Sequence, residues 1–104
     1  MDAALKAIAA PRRREILGLV RDEERTAGEI ARHFDVTWPA VSQHLAVLRE
    51  AGLVRERREG TRRFYRAEPA PLAEVKAFLD TFWDPRLLTL QREAEAEERQ
   101  HARD

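Results

Sequence analysis

The residues that could carry out catalysis in this chain are few, and their spacing argues against an enzyme. The sequence has no cysteine, so a disulfide framework and a thiolate metal site are both impossible. Ser42 has His44 nearby, but side chains two positions apart on a helix do not face each other. No Gly-rich phosphate loop is present. The remaining chemistry is recognition by hydrogen bonds and charge, and we expect a binding protein rather than an enzyme.

The stretch from Thr37 to Gly52 has the pattern of an amphipathic helix. Its apolar residues Val41, Leu45 and Leu48 recur at i, i+4 and i+7, which places them on one face. Thr37 stands where an N-cap belongs, and Gly52 stands where a left-handed glycine ends a helix. The sequence therefore predicts a well-delimited helix with one buried face.

The opposite face of that helix is polar and uncharged, with Trp38, Ser42 and Gln43 on it. This is unusual for a solvated face in a chain in which 37% of residues are charged. The composition indicates a surface that is desolvated against hydrogen-bonding groups, and we interpret it as a DNA recognition helix. An ordinary surface helix is the alternative for this stretch taken alone.

Three shorter helices are predicted before it. Residues 2–9 form a short helical stripe, and Pro11 begins a second helix whose buried face is Ile16, Leu17 and Val20. The first turn of that helix carries three arginines, which are either solvated, tied to carboxylates or near a phosphate; we favour a structural role.

A short third helix begins at a capping box formed by Thr26 and Glu29. Its apolar side is Ile30, Ala31 and Phe34, and a brief turn separates it from the helix at Thr37. Residues 26–51 thus have the helix-turn-helix pattern, which also occurs in unrelated bundles.

Residues 53–67 read as a β-hairpin about a tight turn at Glu59-Gly60. Between Arg49 and Arg66 there are seven arginines and three glutamates. A hairpin of this kind after a helix-turn-helix is the wing of a winged helix, expected to reach phosphates or the minor groove. The alternative is a solvated edge hairpin that uses charge to prevent aggregation.

The C-terminal part has an apolar stripe that is too broad and aromatic for an exposed helix. We assign part of it to a dimer interface with residues 2–9, so that residues 2–23 and 69–101 hold the dimerisation helices. Asp84-Pro85 is expected to restart a helix, and a charged helical run follows from Arg92. The residues predicted at the interface are Leu5, Ile8, Leu72, Val75, Phe78, Leu79, Phe82 and Trp83.

The 104 residues allow one domain with a modest core, and the formal net charge is zero. The charge is unevenly distributed: residues 1–66 hold 14 Lys and Arg against 10 Asp and Glu, and residues 67–104 hold 5 against 9. A basic body with an acidic tail is compatible with a nucleic-acid partner. No apolar run approaches the roughly 18 residues of a membrane span, and no signal peptide is evident, so a cytoplasmic protein without membrane contact is expected.

With these pieces in place, the chain resembles the ArsR family of bacterial winged-helix repressors over about residues 3–83. The resemblance is carried by Ala10–Leu17, by Val41–Val54, which is the most specific block, and by Arg57–Arg62. It implies a mostly α fold with a small β-hairpin, in the order α-α-α-α-β-β-α, as a homodimer joined through its first and last helices. Two recognition helices would then enter successive major grooves of an inverted-repeat operator.

The resemblance also indicates which residues meet DNA. Trp38 and Pro39 depart from the small polar residues usual in the family, and Trp38 either touches a thymine methyl or sugar or packs on the hairpin. Gln43 can bond adenine in bidentate fashion, and His44 is expected to bond within the domain. The predicted DNA-binding residues are Thr37, Trp38, Pro39, Ser42, Gln43, Arg57, Arg58, Thr61, Arg62 and Arg63.

Metal sensing, for which the family is best known, is not expected here. The segment before the turn lacks the thiolate pair of one metal-sensing type. Candidates for a second type, on the last helix, are Asp80, Asp84, Glu97, Glu98 and His101. Because His33, His44 and His101 lie far apart, we predict no metal and no cofactor, and a subgroup that autorepresses or answers a non-metal signal.

The favoured function is a dimeric, sequence-specific repressor of transcription that binds double-stranded DNA. The alternative is a winged helix used as a protein-interaction module without sequence-specific DNA binding, which the zero net charge and Trp38 would suit. The sequence does not identify the operator, the sign of regulation, any small-molecule or protein effector, or the role of residues 85–104.

Overall fold

A computed structural model describes residues 1–83 and 92–99 of the chain. Five helices and three strands follow in the order α1 (Asp2–Ile8), α2 (Pro11–Leu19), β1 (Arg25–Thr26), α3 (Ala27–Phe34), α4 (Trp38–Glu50), β2 (Val54–Glu59), β3 (Arg62–Ala67) and α5 (Pro69–Asp80). Residues 92–99 are also helical. The predicted winged helix-turn-helix is confirmed. The predicted helix restart at Asp84-Pro85 lies outside the described residues.

The helix-turn-helix is delimited by the caps that the sequence indicates. The Thr26 hydroxyl accepts a hydrogen bond from the Glu29 N–H at 3.2 Å, and the Thr37 hydroxyl accepts one from the Ala40 N–H at 3.4 Å. The turn between the helices has Asp35 in the left-handed conformation, with φ of 52°. These local bonds satisfy helix-end groups that would otherwise be unpaired and fix where α4 begins.

The end of α4 is a Schellman motif. Gly52 has φ of 77°, and its N–H donates to the Arg49 carbonyl at 2.9 Å. The Leu53 N–H donates to the Leu48 carbonyl, also at 2.9 Å, and both leucines are fully buried. The motif turns the chain directly from α4 into β2, so the wing emerges next to the C-terminal end of the helix.

The sheet has three antiparallel strands in the order β1-β3-β2, where the sequence predicted only the hairpin. In β1, Arg25 pairs with Tyr65 and Thr26 with Phe64. A strand of only two residues has no recognisable sequence pattern, and β1 is defined by its pairing with the distant strand β3. The added strand joins the base of the wing to the start of α3.

Two of the three arginines in the first turn of α2 have the predicted structural role, and the third is paired with a carboxylate. Arg13 donates to the carbonyls of Ala7 and Lys6, and Arg14 donates to those of Ile8 and Ala9. These carbonyls belong to the end of α1, where cationic groups complement the helix dipole. The cluster thereby fixes α1 against α2.

The core lies where α1 to α4 meet the sheet and is entirely apolar among the described residues. Its fully buried large side chains are Ile16, Val20, Ile30, Val41, Leu45, Leu48 and Leu53. The predicted buried face of α4 is confirmed.

The predicted interface residues fall into three groups. Leu5, Ile8 and Leu72 are partly buried and pack against the core. Val75 is only 4% exposed within the protomer, where it belongs to the chain's own core. The remaining four stay substantially exposed, namely Phe78, Leu79, Phe82 and Trp83.

Candidate nucleic-acid interface

The first half of α4 presents a surface that we call the recognition face, made of Trp38, Pro39, Ser42 and Gln43. All four side chains are exposed, and none carries a charge. Their exposure follows from helical spacing, since Val41 and Leu45 on the other side are held in the core. The hydroxyl of Ser42, the amide of Gln43 and the indole of Trp38 are therefore exposed to solvent on a helix whose other face is fixed in the core.

Trp38 lies against the start of α3, an arrangement that the sequence did not predict. A Cβ atom placed on Gly28 would be 2.8 Å from Cζ3 of the indole, so only glycine allows the ring to sit there. The ring is nevertheless 59% exposed. Trp38 is thus packed on one side against α3 and available to a ligand on the other.

A cleft separates the recognition face from the wing and has a volume of about 350 Å³. The start of α3, the recognition face and the wing all contribute to its lining, which consists of Thr26, Ala27, Trp38, Ser42, Thr61, Arg62, Arg63 and Tyr65. Besides Trp38, four of the predicted DNA-binding residues line this cleft together, although they come from separate parts of the sequence.

The register of the wing divides its arginines between two faces. Arg58 pairs directly with Arg63, whereas Arg57 pairs with Phe64. Since alternate residues of a strand point to opposite faces, Arg57 lies on the face opposite to Arg58 and Arg63. The sequence predicted that these arginines form one contact surface, whereas in the structure they lie on two opposite faces of the wing.

On the first of these faces, Glu56 is surrounded by arginines. Arg58 and Arg49 donate to its carboxylate at 3.2 and 2.5 Å, and Arg63 lies 3.7 Å away. Burial of Glu56 raises the pKa of its carboxyl, but the hydrogen bonds from Arg58 and Arg49 and the charge of Arg63 outweigh burial, so the pKa is lowered. Glu56 is therefore ionised at neutral pH.

On the opposite face, Arg57 is held by carboxylates. Its guanidinium donates three hydrogen bonds to Glu24, the shortest at 2.7 Å, and one to Glu59. It also stacks over Phe64, 4.6 Å from the ring centroid. The hydrogen bond from Arg57 lowers the pKa of Glu24, and the pairing with Glu24 raises the pKa of Arg57. Arg57 acts as a strut between the wing and the loop before β1.

His44 does not make the predicted hydrogen bond within the domain through its Nδ1 atom. Its Nδ1 is buried and has no hydrogen-bond partner, where a bond within the domain was expected. Burial lowers the pKa of His44, and the nearby charges of Arg13 and Arg12 lower it further. The imidazole is therefore neutral at neutral pH and is part of the packing between α2 and α4.

Three residues that matter to this surface are not predicted from the sequence: Gly28, Glu24 and Glu56. Gly28 gave a weak signal, as a glycine inside a helix asks for a packing reason. Glu56 lies between arginines in sequence, but a carboxylate within an arginine run predicts no particular geometry. Glu24 is 33 residues from Arg57, and no local pattern links them.

Within residues 1–83 and 92–99 there is no group of three or more His, Asp or Glu that could hold a metal ion. Asp80 is paired with Lys76 at 3.1 Å, and Asp84 and His101 lie outside these ranges. In the same part of the chain, no helix is both long and apolar enough to cross a bilayer.

A helical core, a recognition face and an arginine-bearing wing define the winged helix-turn-helix class of DNA-binding proteins. Comparison with known proteins identifies the branch of that class. Residues 10–56 match the model of the arsR family of bacterial regulatory proteins. The chain is 45% identical over 82 residues to the HTH-type transcriptional regulator Rv2034 of Mycobacterium tuberculosis, covering 79% of this chain and 77% of that protein.

Other similar proteins are also regulators of transcription or DNA-binding domains. The transcriptional repressor SdpR of Bacillus subtilis is 40% identical over 65 residues, covering 62% of this chain and 72% of its own. A crystal structure of a possible transcriptional regulator for arsenical resistance superposes with a TM-score of 0.75 at 40% identity, covering 89% of this chain and 96% of that one. A homodimeric winged helix-turn-helix DNA-binding domain from Mycobacterium bovis superposes with a TM-score of 0.66 at 34% identity, covering 78% and 75%.

The chain belongs to the arsR family. Its members are transcriptional regulators, which are not enzymes, so the expectation of a binding protein is confirmed. The alternative of a protein-interaction module is not favoured, because the relatives named above are regulators of transcription.

Proposed function

We propose that this chain is a dimeric repressor of transcription that binds an inverted-repeat operator in bacterial cytoplasm. The recognition face enters the major groove, and the wing contacts the adjacent backbone or minor groove. We propose repression because the relative SdpR of Bacillus subtilis is named a repressor. Another relative, HlyU of Vibrio cholerae, is named an activator.

The observation that carries the proposal is the uncharged, exposed recognition face beside an arginine-bearing wing. In a protein with a basic body, charges are expected on any surface that only meets water. Ser42 and Gln43 instead offer hydrogen-bond donors and acceptors on a rigid helix, which is what reading base edges requires. Thr61, Arg62 and Arg63 lie across the cleft, where they can hold the backbone and set the register.

A dimer is supported by the exposed apolar residues at the C-terminal end of α5 and just beyond it. Phe78 and Phe82 stack edge to face with ring centroids 5.2 Å apart, and Trp83 is 58% exposed beside them. Apolar patches of this kind on small proteins usually mark an interface. The homodimeric domain of Mycobacterium bovis supports a second copy of this chain as the partner.

The proposal is tested by protection of the DNA upstream of the chain's own gene, with purified protein and a coupled transcription assay. Protection of a palindrome with half-site centres about 34–36 Å apart is expected, together with reduced transcription and a steep loss of affinity with salt. Absence of protection in this region and in sequences selected from random DNA would contradict the proposal.

The recognition face is tested by Gln43→Ala on the protected site and on sites changed at one base pair. If Gln43 reads an adenine, the variant loses about 5- to 150-fold of discrimination at one position, equivalent to about 1–3 kcal/mol, and none elsewhere. Uniform weakening on all sites would show that Gln43 does not read bases. Gly18→Ala, on α2 with open space around it, is the matched control for handling and folding.

A further inference from the structure

Three arginines converge on one shielded carboxylate at the junction of α4 and the wing. Glu56 is only 10% exposed at its side chain. Nη1 of Arg49 contacts its Oε2 at 2.5 Å, and Nε of Arg58 contacts its Oε1 at 3.2 Å. Nε of Arg63 lies 3.7 Å from the same Oε1. We call Arg49, Arg58 and Arg63 the arginine cluster.

The arginine cluster is not explained by stability of the hairpin. Arg58 and Arg63 are directly opposed across the strands, and like charges in that position destabilise a sheet. One carboxylate against three guanidinium groups leaves a formal charge of +2. Glu56 offsets part of the repulsion, whereas an uncharged residue at position 58 or 63 would remove the like-charge pair across the strands.

The unused donors of the arginine cluster are accessible. A guanidinium has five N–H donors, and each of these arginines is held to Glu56 through one nitrogen. Their side chains are 51%, 66% and 54% exposed, although the carboxylate beneath them is shielded. The arginine cluster therefore has donors besides those bound to Glu56, on side chains that are more than half exposed.

A small cavity of about 130 Å³ adjoins the arginine cluster and reaches the recognition face. Arg49 and Arg63 line it together with Ser42, Leu45, Ala46 and Tyr65. Its position connects the hydroxyl of the recognition face to two of the guanidinium groups. A compact anion with several acceptor oxygens suits this setting, and a DNA phosphate is such a group.

We propose that Glu56 is a positioning residue that holds Arg49, Arg58 and Arg63 as one binding site for a backbone phosphate of DNA, next to the recognition face. The inference rests on the proposed function, since the phosphate belongs to the DNA that α4 reads. Glu56 itself carries the wrong charge for DNA. Its contribution is to keep three mutually repelling guanidinium groups together in the arrangement that the phosphate meets.

This role is tested by the direction in which one substitution changes the affinity for DNA. Glu56→Gln removes a negative charge near DNA, so simple electrostatics predicts tighter binding. A positioning role predicts weaker binding, because the arginine cluster spreads apart. Glu50→Gln is the matched control: it removes the same charge at the exposed end of α4, outside the arginine cluster.

The measurement is the affinity of each variant for the protected duplex across a range of salt concentrations. For Glu56→Gln we expect a several-fold weaker affinity and a log–log salt slope that is shallower by up to about 0.9 per protomer, which corresponds to one phosphate contact. Glu50→Gln should bind as tightly as the parent or tighter. Tighter binding by Glu56→Gln with an unchanged slope would overturn the inference.

A second measurement separates this inference from the proposed function. Inorganic phosphate is titrated into the parent protein while the arginine Nε–H resonances are followed by NMR. Arg49, Arg58 and Arg63 should shift together with one affinity, and the concerted shift should be lost in Glu56→Gln. Independent or absent shifts overturn the phosphate site even if the protein binds DNA, whereas concerted shifts without any DNA binding would contradict only the proposed function.

If Glu56→Gln does not fold, Glu56→Asp replaces it. The shorter side chain keeps the charge but cannot reach all three arginines. It is expected to shift affinity and salt slope in the same direction as described for Glu56→Gln, by a smaller amount. Parental affinity and slope for a folded Glu56→Asp would overturn the positioning role.

Discussion

Trp38 illustrates how a single glycine can decide what a recognition helix presents. The indole packs so close to Gly28 that a Cβ atom there would lie 2.8 Å from its Cζ3, so any side chain at this position would displace the ring. The ring fills one wall of the cleft that faces the wing. Its position is therefore set by a residue in the neighbouring helix, ten positions earlier in the sequence.

We expect Gly28→Ala to move the indole without unfolding the protein. The added methyl clashes with the far end of an exposed ring, which can shift, while alanine favours the helix; the free energy of unfolding should change by no more than about 1 kcal/mol in either direction. DNA affinity and the fluorescence of Trp38, measured in a Trp83→Phe background, should both change.

Gly18→Ala is the matched control, since nothing lies within 4 Å of a Cβ at that position. It should raise the free energy of unfolding by about 0.5–1 kcal/mol and leave DNA affinity and Trp38 fluorescence alone. Unchanged fluorescence in Gly28→Ala would show that the indole does not rest on Gly28.

His44 predicts a pH dependence of stability. Its pKa is lowered in the folded chain by burial and by the charges of Arg13 and Arg12. As pH falls through the ordinary histidine value near 6.5, the unfolded chain therefore takes up a proton that the folded chain resists. The free energy of unfolding should decrease as pH is lowered from about 7.5 to 5.5, by at most about 1.4 kcal/mol per pH unit.

His44→Leu should flatten this dependence in denaturant titrations at several pH values, because no buried imidazole remains to be protonated. His33→Gln, at an exposed position on α3, should keep the parental dependence. A parental slope in His44→Leu would exclude His44 as its source.

At the level of elements, the sequence predicted what local chemistry decides. The limits of α3 and α4 follow from Thr26, Thr37 and Gly52, whose cap bonds involve residues within five positions. The two residues of β1 could not be predicted, because their only strand signal is pairing with β3, about 40 residues away.

The candidate site divides in the same way. The exposure of Ser42 and Gln43 follows from helical periodicity and was predicted. The ion pairs of Arg57 with Glu24, and of Arg49 with Glu56, depend on how the hairpin docks, and charge counting alone cannot assign partners. The burial of Val75 could not be predicted for a related reason: an apolar stripe does not show which of its members the chain's own core covers.

The attachment of the wing is predicted to depend on Glu24. In Glu24→Gln the charged contact to Arg57 is lost, and amide hydrogen exchange in β2 and β3 should accelerate. The thermal midpoint should hardly move, since exposed ion pairs contribute little to global stability. Because Arg57 lowers the pKa of Glu24, the parent should show the same acceleration only when acid protonates this carboxylate.

Glu23→Gln is the control for that experiment. Glu23 is the neighbouring carboxylate and contacts Arg25 at 3.5 Å rather than Arg57. Exchange in the wing of this variant should equal that of the parent. Equal acceleration in both variants would mean that net charge, and not the strut, controls the motion of the wing.

At the level of the whole molecule, the exposed apolar residues after the core of α5 predict self-association. Phe82→Glu places a charge on that surface and should weaken the dimer by about 10- to 150-fold, the range expected for losing one buried aromatic side chain. Sedimentation of each variant over a concentration series gives the dimer dissociation constant.

Ala77→Glu adds the same charge to another exposed position, within α5, and should leave the dimer intact. A parental dissociation constant for Phe82→Glu would locate the contact between protomers elsewhere. Weakening by both variants to the same extent would point to charge repulsion instead of lost apolar contact.

Whether two recognition faces act together is tested most directly by the spacing of the operator. Affinity is measured for the protected duplex and for versions with 5 or 10 base pairs inserted between the half-sites. A rigid pair of faces one helical turn apart predicts severe loss with 5 base pairs, because one half-site is rotated to the far side of the duplex. Inserting 10 base pairs returns both half-sites to the same side of the duplex but doubles the spacing between their centres, so affinity should recover little. Equal affinity for all three duplexes would contradict the account, because each copy would then bind DNA alone.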